Sequence, residues 1–115
     1  MFTAGHVVIS SRDAEADRAF FRDVLGFSFV DAGDGWLIFA LPPSEVALHP
    51  SDKNGIHEFY LMCDDLEATM TELAKHDVPC SAPVDTSWGI RTTFQLPGGG
   101  ELGLYQPKHP MAVSP

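Results

Sequence analysis

The sequence predicts an α+β domain of two β-α-β-β-β modules, in which a concave mixed sheet carries the helices on its outer side. A repeated hairpin is the first observation, since Phe39-Ala-Leu-Pro-Pro-Ser-Glu-Val-Ala-Leu-His returns as Phe94-Gln-Leu-Pro-Gly-Gly-Gly-Glu-Leu-Gly-Leu-Tyr. The second is that Asp13 and Asp65 each precede a helical pattern at corresponding places. Such an internal repeat indicates two copies of one unit. We expect a single domain, with module one at about 3–50 and module two at about 56–107.

Composition and charge restrict the class of protein. The chain has 115 residues, of which 44% are hydrophobic, enough for one packed core. Its net charge of −9 argues against nucleic acids and acidic membranes as partners. No apolar run is long enough to span a membrane, and no signal peptide is recognisable. Two cysteines suit a reduced, cytoplasmic protein. The acidity serves solubility, or favours neutral or cationic ligands.

Module one begins with the alternating, β-rich segment Gly5–Ser10, which is typical of a strand. Asp13 suits the N-cap of a helix, and Gly26 suits the residue that follows the helix end. The other three strands are predicted at Phe27–Asp31, Trp36–Leu41 and Glu45–His49.

Module two follows the polar link Ser51–Gly55. Asp64 or Asp65 is expected to cap its helix, because Asp64 and Glu67 have the spacing of a capping box. Its strands are predicted at Glu58–Cys63, around Ser81–Asp85, and at Gly89–Leu96 and Glu101–Gln106. Lys108–Pro115 is expected to be a loose tail.

Alternation along the strands assigns side chains to the two faces of the sheet. The strictly apolar set should pack under the helices; it comprises Val7, Ile9, Phe39, Leu41, Val46, Leu48, Phe59, Leu61, Cys63, Phe94, Leu96, Leu102 and Leu104. The opposite set should point into the concave side, or cup, and mixes aromatic with polar side chains as small-molecule sites do. An interaction surface would have a similar composition.

Candidate ligand-binding residues come from this inner set. Aromatic side chains and a methionine there would contact a flat ligand, although each also suits the core of a small domain. An arginine would hold a carboxylate or pair with an acidic residue. The candidates are Trp36, Tyr60, Met62, Arg91, Tyr105 and, at the lip of the cup, Trp88. Neither cysteine has an activating partner, so no nucleophile is assigned.

Four stretches carry a resemblance to a known family: His6-Val-Val-Ile, Phe20-Phe-Arg-Asp-Val-Leu-Gly-Phe27, Asp64-Asp-Leu-Glu-Ala-Thr and Gly103-Leu-Tyr-Gln-Pro. Together with the paired modules they resemble the vicinal oxygen chelate superfamily, the glyoxalase, bleomycin-resistance and extradiol-dioxygenase group. The resemblance covers almost the whole chain and implies a homodimer that binds a small molecule. It leaves the activity open, because the superfamily includes isomerases, dioxygenases, thiol transferases and non-enzymatic drug binders.

The resemblance also implies where a divalent metal would be bound. In metal-dependent members the ligands lie on the first and last strand of each module. These positions fall here on His6, Ala47, Glu58 and Gly103. Alanine and glycine offer no side-chain ligand, so only His6 and Glu58 remain unless His49 or Glu101 reaches the site. Two ligands make a weak site. His6 and Glu58 are nevertheless the candidate metal ligands and catalytic residues, as an acid–base pair.

The sequence therefore predicts a small-molecule-binding member of this superfamily, with a cup for a hydrophobic or aromatic ligand and a degenerate metal site. Two alternatives remain open. One is a divalent-metal-dependent lyase, isomerase or dioxygenase that uses His6 and Glu58. The other is a non-enzymatic resistance protein that sequesters a drug. A dimeric scaffold with a collapsed cup would explain the same residues without any ligand.

Overall fold

The computed structural model describes residue 1 and residues 4–113. The expected start of module one at residue 3 and the last two residues of the tail, 114 and 115, lie outside these. Within the described part, two helices and six strands follow one another along the chain. They are α1 (Ala14–Asp23), β1 (Phe29–Asp31), β2 (Leu37–Phe39), β3 (Tyr60–Met62), α2 (Leu66–Ala74), β4 (Val84–Asp85), β5 (Gly89–Gln95) and β6 (Glu101–Pro107). The α+β class is confirmed.

The helix ends follow the predicted capping residues closely. The Asp13 carboxylate accepts a hydrogen bond from the Ala16 amide at 3.1 Å, and Gly26 adopts the left-handed conformation with φ of 71°. In module two the N-cap is Asp65, whose carboxylate accepts from the Ala68 amide at 3.0 Å. Because the N3 position is then Ala68 and not Glu67, the capping box predicted from Asp64 is not formed.

Module two forms the complete β-α-β-β-β unit. Its sheet has the order β3-β6-β5-β4, in which β3 runs parallel to β6 and the other neighbours are antiparallel. The β5–β6 ladder extends from the pair Gly89–Pro107 to the pair Gln95–Glu101. Its turn is closed because the Leu96 amide donates to the Gly100 carbonyl at 2.7 Å, while Gly99 takes a φ of 97°.

Module one forms only its helix and the β1–β2 hairpin. Phe29 pairs with Phe39 and Asp31 with Leu37, but the predicted strands Gly5–Ser10 and Glu45–His49 are not strands. Their apolar side chains are exposed, as Leu48 shows at 90%. These two strand predictions are wrong for the single chain.

The turn after β2 explains why module one lacks the last strand that module two has. Module two has three glycines after Pro97, whereas module one has Pro42, Pro43 and Ser44. Pro42 corresponds to Pro97, so the first turn is one residue shorter and has no glycine to adopt the positive φ that Gly99 takes. Glu45–His49 therefore does not fold back onto β2. Gly5–Ser10, which would lie beside it, then has no strand to pair with.

The core lies between the helices and the outer face of the module-two sheet. Phe20 and Phe21 of α1 lie there with Leu66 and Leu73 of α2, over strand residues predicted to face the helices, namely Phe94, Leu96, Leu102 and Leu104. Phe39, Phe59, Leu61 and Cys63 pack against this cluster as predicted. Val7, Ile9, Val46 and Leu48 were predicted to be covered but are exposed. Among the described helices, none is long and apolar enough to cross a membrane.

A buried carboxylate ties the first helix to the turn of module two. Asp17 is 8% exposed and accepts a hydrogen bond from the Gly98 amide at 2.8 Å. A Cβ atom at Gly98 would lie 2.6 Å from the Ser11 hydroxyl and 3.1 Å from the Asp17 carboxylate. Only glycine therefore allows this close approach between the modules.

The segment after β6 is not loose, contrary to the prediction for the tail. The Lys108 amide donates to the Trp88 carbonyl at 2.9 Å, and its ammonium contacts the Asp85 carboxylate. Farther along, the Ala112 amide donates to the Glu45 carboxylate at 2.7 Å. Residues 108–113 therefore connect module two with the exposed part of module one.

Two glycines in the same turn provide a matched test of this packing. We expect Gly98→Ala to destabilise the protein by about 1–3 kcal/mol, because its methyl group overlaps Ser11. Gly100→Ala should change stability by less than about 0.5 kcal/mol, since nothing lies within 4 Å of its Cβ. Urea unfolding of both variants measures the difference. Equal stabilities would contradict the proposed contact.

Candidate functional site

Three aromatic side chains meet on the face of the module-two sheet opposite the core. We call Tyr60, Trp88 and Tyr105 the aromatic triad. The ring centroids of Trp88 and Tyr105 lie 5.0 Å apart, those of Tyr60 and Tyr105 5.6 Å, and those of Tyr60 and Trp88 5.9 Å, all edge to face. These separations are favourable for aromatic pairs. Three of the predicted ligand-binding residues thus form one surface.

Gly103 allows this surface to form. It is the register partner of Tyr60 on the neighbouring parallel strand, and the Tyr60 ring lies directly against it. A Cβ atom at Gly103 would be 2.2 Å from Cδ1 of Tyr60, which is far inside van der Waals contact. The position at which the sequence resemblance places a metal ligand is therefore covered by an aromatic ring.

Charged groups surround the two tyrosines. Burial raises the pKa of the Tyr60 hydroxyl, the charge of Glu58 raises it further, and Arg91 opposes this effect. Burial also raises the pKa of Tyr105, with Glu45 contributing. Both hydroxyls therefore stay protonated and able to donate hydrogen bonds at neutral pH. Arg91 is the register partner of Tyr105 and lies beside the triad on β5.

Of the other predicted ligand-binding residues, Met62 lies next to the triad and Trp36 does not. Met62 is half-buried on β3 and is the register partner of Tyr105, so it extends the triad along the sheet. Trp36 does not join them, because it is 62% exposed and its ring lies 4.6 Å from the Arg18 guanidinium of α1. This is a cation–π contact on the helix side of the hairpin.

The structure does not join His6 to Glu58. His6 lies in the exposed segment without a strand partner, and Glu58 is exposed just before β3. Among the described residues, no hydrogen bond or ion pair connects them. Their predicted role as an acid–base pair gains no geometric support.

The residues present do not fit a divalent metal. Within residues 4–113, no three His, Cys, Asp or Glu side chains are grouped in a way that would hold an ion. Ala47 offers no ligand atom, and the Tyr60 ring fills the space above Gly103. A ligand introduced at Gly103 alone would collide with this ring, so we derive no step through a metal.

A groove of about 710 Å³ lies on the outer side of the sheet. It opens between α1 and the loop after α2, where Phe20, Val24, Val78 and Cys80 line it. None of the predicted ligand-binding residues reaches it, so it is not the predicted cup. Burial raises the pKa of Cys80 and of Cys63, which agrees with the absence of an assigned nucleophile.

His109 is the residue that the sequence analysis missed. Its ring centroid lies 5.8 Å from that of Tyr105, and its Nε2 lies 2.9 Å from the Tyr105 hydroxyl oxygen. It belongs to the segment that we expected to be loose, where no alternation assigns a face. The sequence feature that could have indicated this contact is the position of His109 four residues after Tyr105, which is close enough for the chain to return to the Tyr105 ring.

Comparison with known proteins identifies the family. The family model for the Glyoxalase/Bleomycin resistance protein/Dioxygenase superfamily matches residues 3–104, and the chain belongs to this superfamily. Its relatives include the uncharacterized protein YaeR of Escherichia coli (strain K12), which is 29% identical over 88% of this chain and 93% of its own length.

Solved structures share the fold. TnmS3, an antibiotic binding protein from Streptomyces sp. CB03234, superimposes with a TM-score of 0.64 at 26% identity, covering 94% of this chain and 100% of TnmS3. Lactoylglutathione lyase from Agrobacterium tumefaciens has a TM-score of 0.65 at 15% identity, covering 90% and 92% of the two chains. The second likeness concerns the fold alone.

A double-mutant cycle tests the packing of Tyr60 on Gly103. We expect Gly103→Ala to cost about 1–3 kcal/mol of unfolding free energy, because the methyl group displaces the Tyr60 ring. The same change in a Tyr60→Ala background should cost less than about 0.5 kcal/mol, since the ring is gone. Urea unfolding gives all four stabilities. An equal cost in both backgrounds would show that the ring does not lie on Gly103.

Proposed function

We propose that this protein binds a small, flat, hydrophobic or aromatic molecule on the aromatic triad. The observation that carries the proposal is the convergence of Tyr60, Trp88 and Tyr105 on the inner face of the sheet. Two hydroxyls and an indole N–H supply polar groups for orientation. The three aromatic rings supply apolar surface, which is typical of the lining of small-molecule binding sites.

The residues at the expected metal-ligand positions favour binding of a small molecule without a metal. The last-strand positions of the two modules are Ala47 and Gly103, and the second is covered by Tyr60. The similarity to TnmS3, described as an antibiotic binding protein, supports a ligand of this kind. We therefore favour a non-enzymatic, sequestering role over a divalent-metal-dependent lyase, isomerase or dioxygenase that would use His6 and Glu58.

Charge narrows the ligand class further. Glu58 and Glu45 act on the two tyrosines of the triad, within a chain of net charge −9. An anionic ligand would be repelled unless Arg91 paired with it. Neutral or cationic molecules are the preferred ligands.

The free thiols of Cys63 and Cys80 are consistent with the proposed cytoplasmic location.

A ligand panel tests the proposed binding. In a Trp36→Phe background, Trp88 is the remaining tryptophan, and planar polycyclic antibiotics and dyes should change its fluorescence. Tyr60→Ala or Tyr105→Ala should weaken binding roughly tenfold or more, because each removes a buried aromatic contact. Trp36→Phe itself should bind these ligands like the wild type, as titration calorimetry of the two proteins measures.

Two outcomes would contradict this function. One is ligand affinity that is insensitive to both tyrosine substitutions, which would place any ligand elsewhere. The other is stoichiometric divalent metal in the purified protein that His6→Ala or Glu58→Ala removes. That result would favour the metal-dependent alternative.

We also propose that the protein is a homodimer in which a second copy covers the exposed segments of module one. Val8, Val46 and Leu48 are 80%, 85% and 90% exposed, an apolar surface that isolated chains rarely present. The radius of gyration is 15.0 Å, although a compact chain of this length should have about 13 Å. Residues 5–10 and 45–49 have no strand partner within the described part of the chain and are available for strand pairing between copies.

The oligomeric state tests this arrangement. We expect light scattering after size exclusion to show a dimer, and Leu48→Asp to shift it to monomer by placing a charge in the interface. Thr71→Asp on the exposed face of α2 is the control and should leave the dimer intact. A monomeric wild-type protein at micromolar concentration would contradict the proposal.

A further inference from the structure

The segment 108–113 lies against the aromatic triad and is held at both ends. At its beginning, the Lys108 amide donates to the Trp88 carbonyl at 2.9 Å, and the Lys108 ammonium contacts Asp85. At its end, the Ala112 amide donates to the Glu45 carboxylate at 2.7 Å. These contacts fix the position of the residues between them, including His109.

His109 makes the contact that matters for a ligand. Its imidazole is inclined by 37° to the Tyr105 ring, with 5.8 Å between centroids. Its Nδ1 lies 2.8 Å from the Pro110 carbonyl oxygen, which only accepts hydrogen bonds, so Nδ1 carries the proton. In the neutral ring, Nε2 therefore accepts a hydrogen bond from the Tyr105 hydroxyl at 2.9 Å.

With Tyr105, His109 makes the contacts that a small heteroaromatic ligand would make with this member of the triad. A flat ring lies against an aromatic face, and a ring nitrogen accepts from the hydroxyl that the site presents. Tyr105 is 9% exposed, and His109 is among the side chains in contact with it. A ligand that stacks on Tyr105 and uses its hydroxyl needs the space that His109 occupies.

We propose that His109 is an intramolecular occupant of the binding surface, which a flat heteroaromatic base with an acceptor nitrogen displaces. The inference rests on the proposed binding function and adds the ligand class and a competing segment. Because the occupant is part of the chain, it lowers the apparent affinity for any ligand by the fraction of molecules in which the segment is displaced.

The probes for the test differ in one feature. Benzimidazole is a flat base with an acceptor nitrogen, and indole has the same two-ring shape without an acceptor nitrogen. Binding is followed by NMR at mildly alkaline pH, where both probes are neutral, through the indole N–H signal of Trp88 and the amide signal of Ala112.

We expect His109→Ala to bind benzimidazole about three- to tenfold more tightly than the wild type, the value of one competing hydrogen bond. Indole should gain by the same factor, because the segment competes with either probe, but in His109→Ala benzimidazole should bind more tightly than indole, which lacks the acceptor nitrogen. His76→Ala, which removes an exposed histidine beyond the end of α2, is the matched control and should bind both probes like the wild type. In the wild type, benzimidazole should also accelerate hydrogen exchange of the Ala112 amide, because the segment is released.

The outcomes separate this inference from the function on which it rests. Unchanged benzimidazole affinity in both His109→Ala and a chain shortened after Pro107 would overturn the competing segment. Equal affinities of His109→Ala for benzimidazole and indole would overturn the acceptor nitrogen as the distinguishing feature. If Tyr60→Ala and Tyr105→Ala leave the affinity for every flat ligand unchanged, the proposed binding surface itself is wrong.

Discussion

The antiparallel ladder between β5 and β6 supports both faces of this protein. On one face it carries Phe94 and Leu102, which are 2% exposed under the two helices. On the other it carries Arg91, Gly103 and Tyr105, and it places Gly103 beside Tyr60 of β3. Because successive side chains of a strand point to opposite faces, the same hydrogen bonds position the core and the proposed binding surface. A shift of register by one residue would exchange them.

A glycine beneath an aromatic ring distinguishes this site from a metal centre on the same fold. Gly103 has no side chain to coordinate an ion, and its missing Cβ lets the Tyr60 ring lie where a ligand atom would project. Members of one superfamily can therefore keep the sheet while exchanging coordination chemistry for aromatic contact.

The two modules differ in completeness for a reason that is local. Three glycines after Pro97 close the second hairpin, whereas Pro43 and Ser44 follow the corresponding Pro42 and include no glycine to adopt a positive φ. Module one then depends on contacts from outside itself. Asp17 ties its helix to Gly98, and residue Ala112 of the last segment reaches Glu45. A second copy of the chain is the proposed partner for the remaining exposed surface.

The amino-acid sequence by itself determined the two-module pattern, the helix caps and the faces of β5 and β6, because these depend on short-range periodicity and turn residues. It also placed Tyr60 and Tyr105 on one side of the sheet and Trp88 at the lip of the cup. Only the tertiary structure decided that Tyr60 covers Gly103, that Trp36 contacts Arg18 and that His109 returns to Tyr105. Those contacts depend on which segments meet in space. An alternating pattern of apolar residues does not indicate which segment will contact the edge of a sheet or the C-terminal tail.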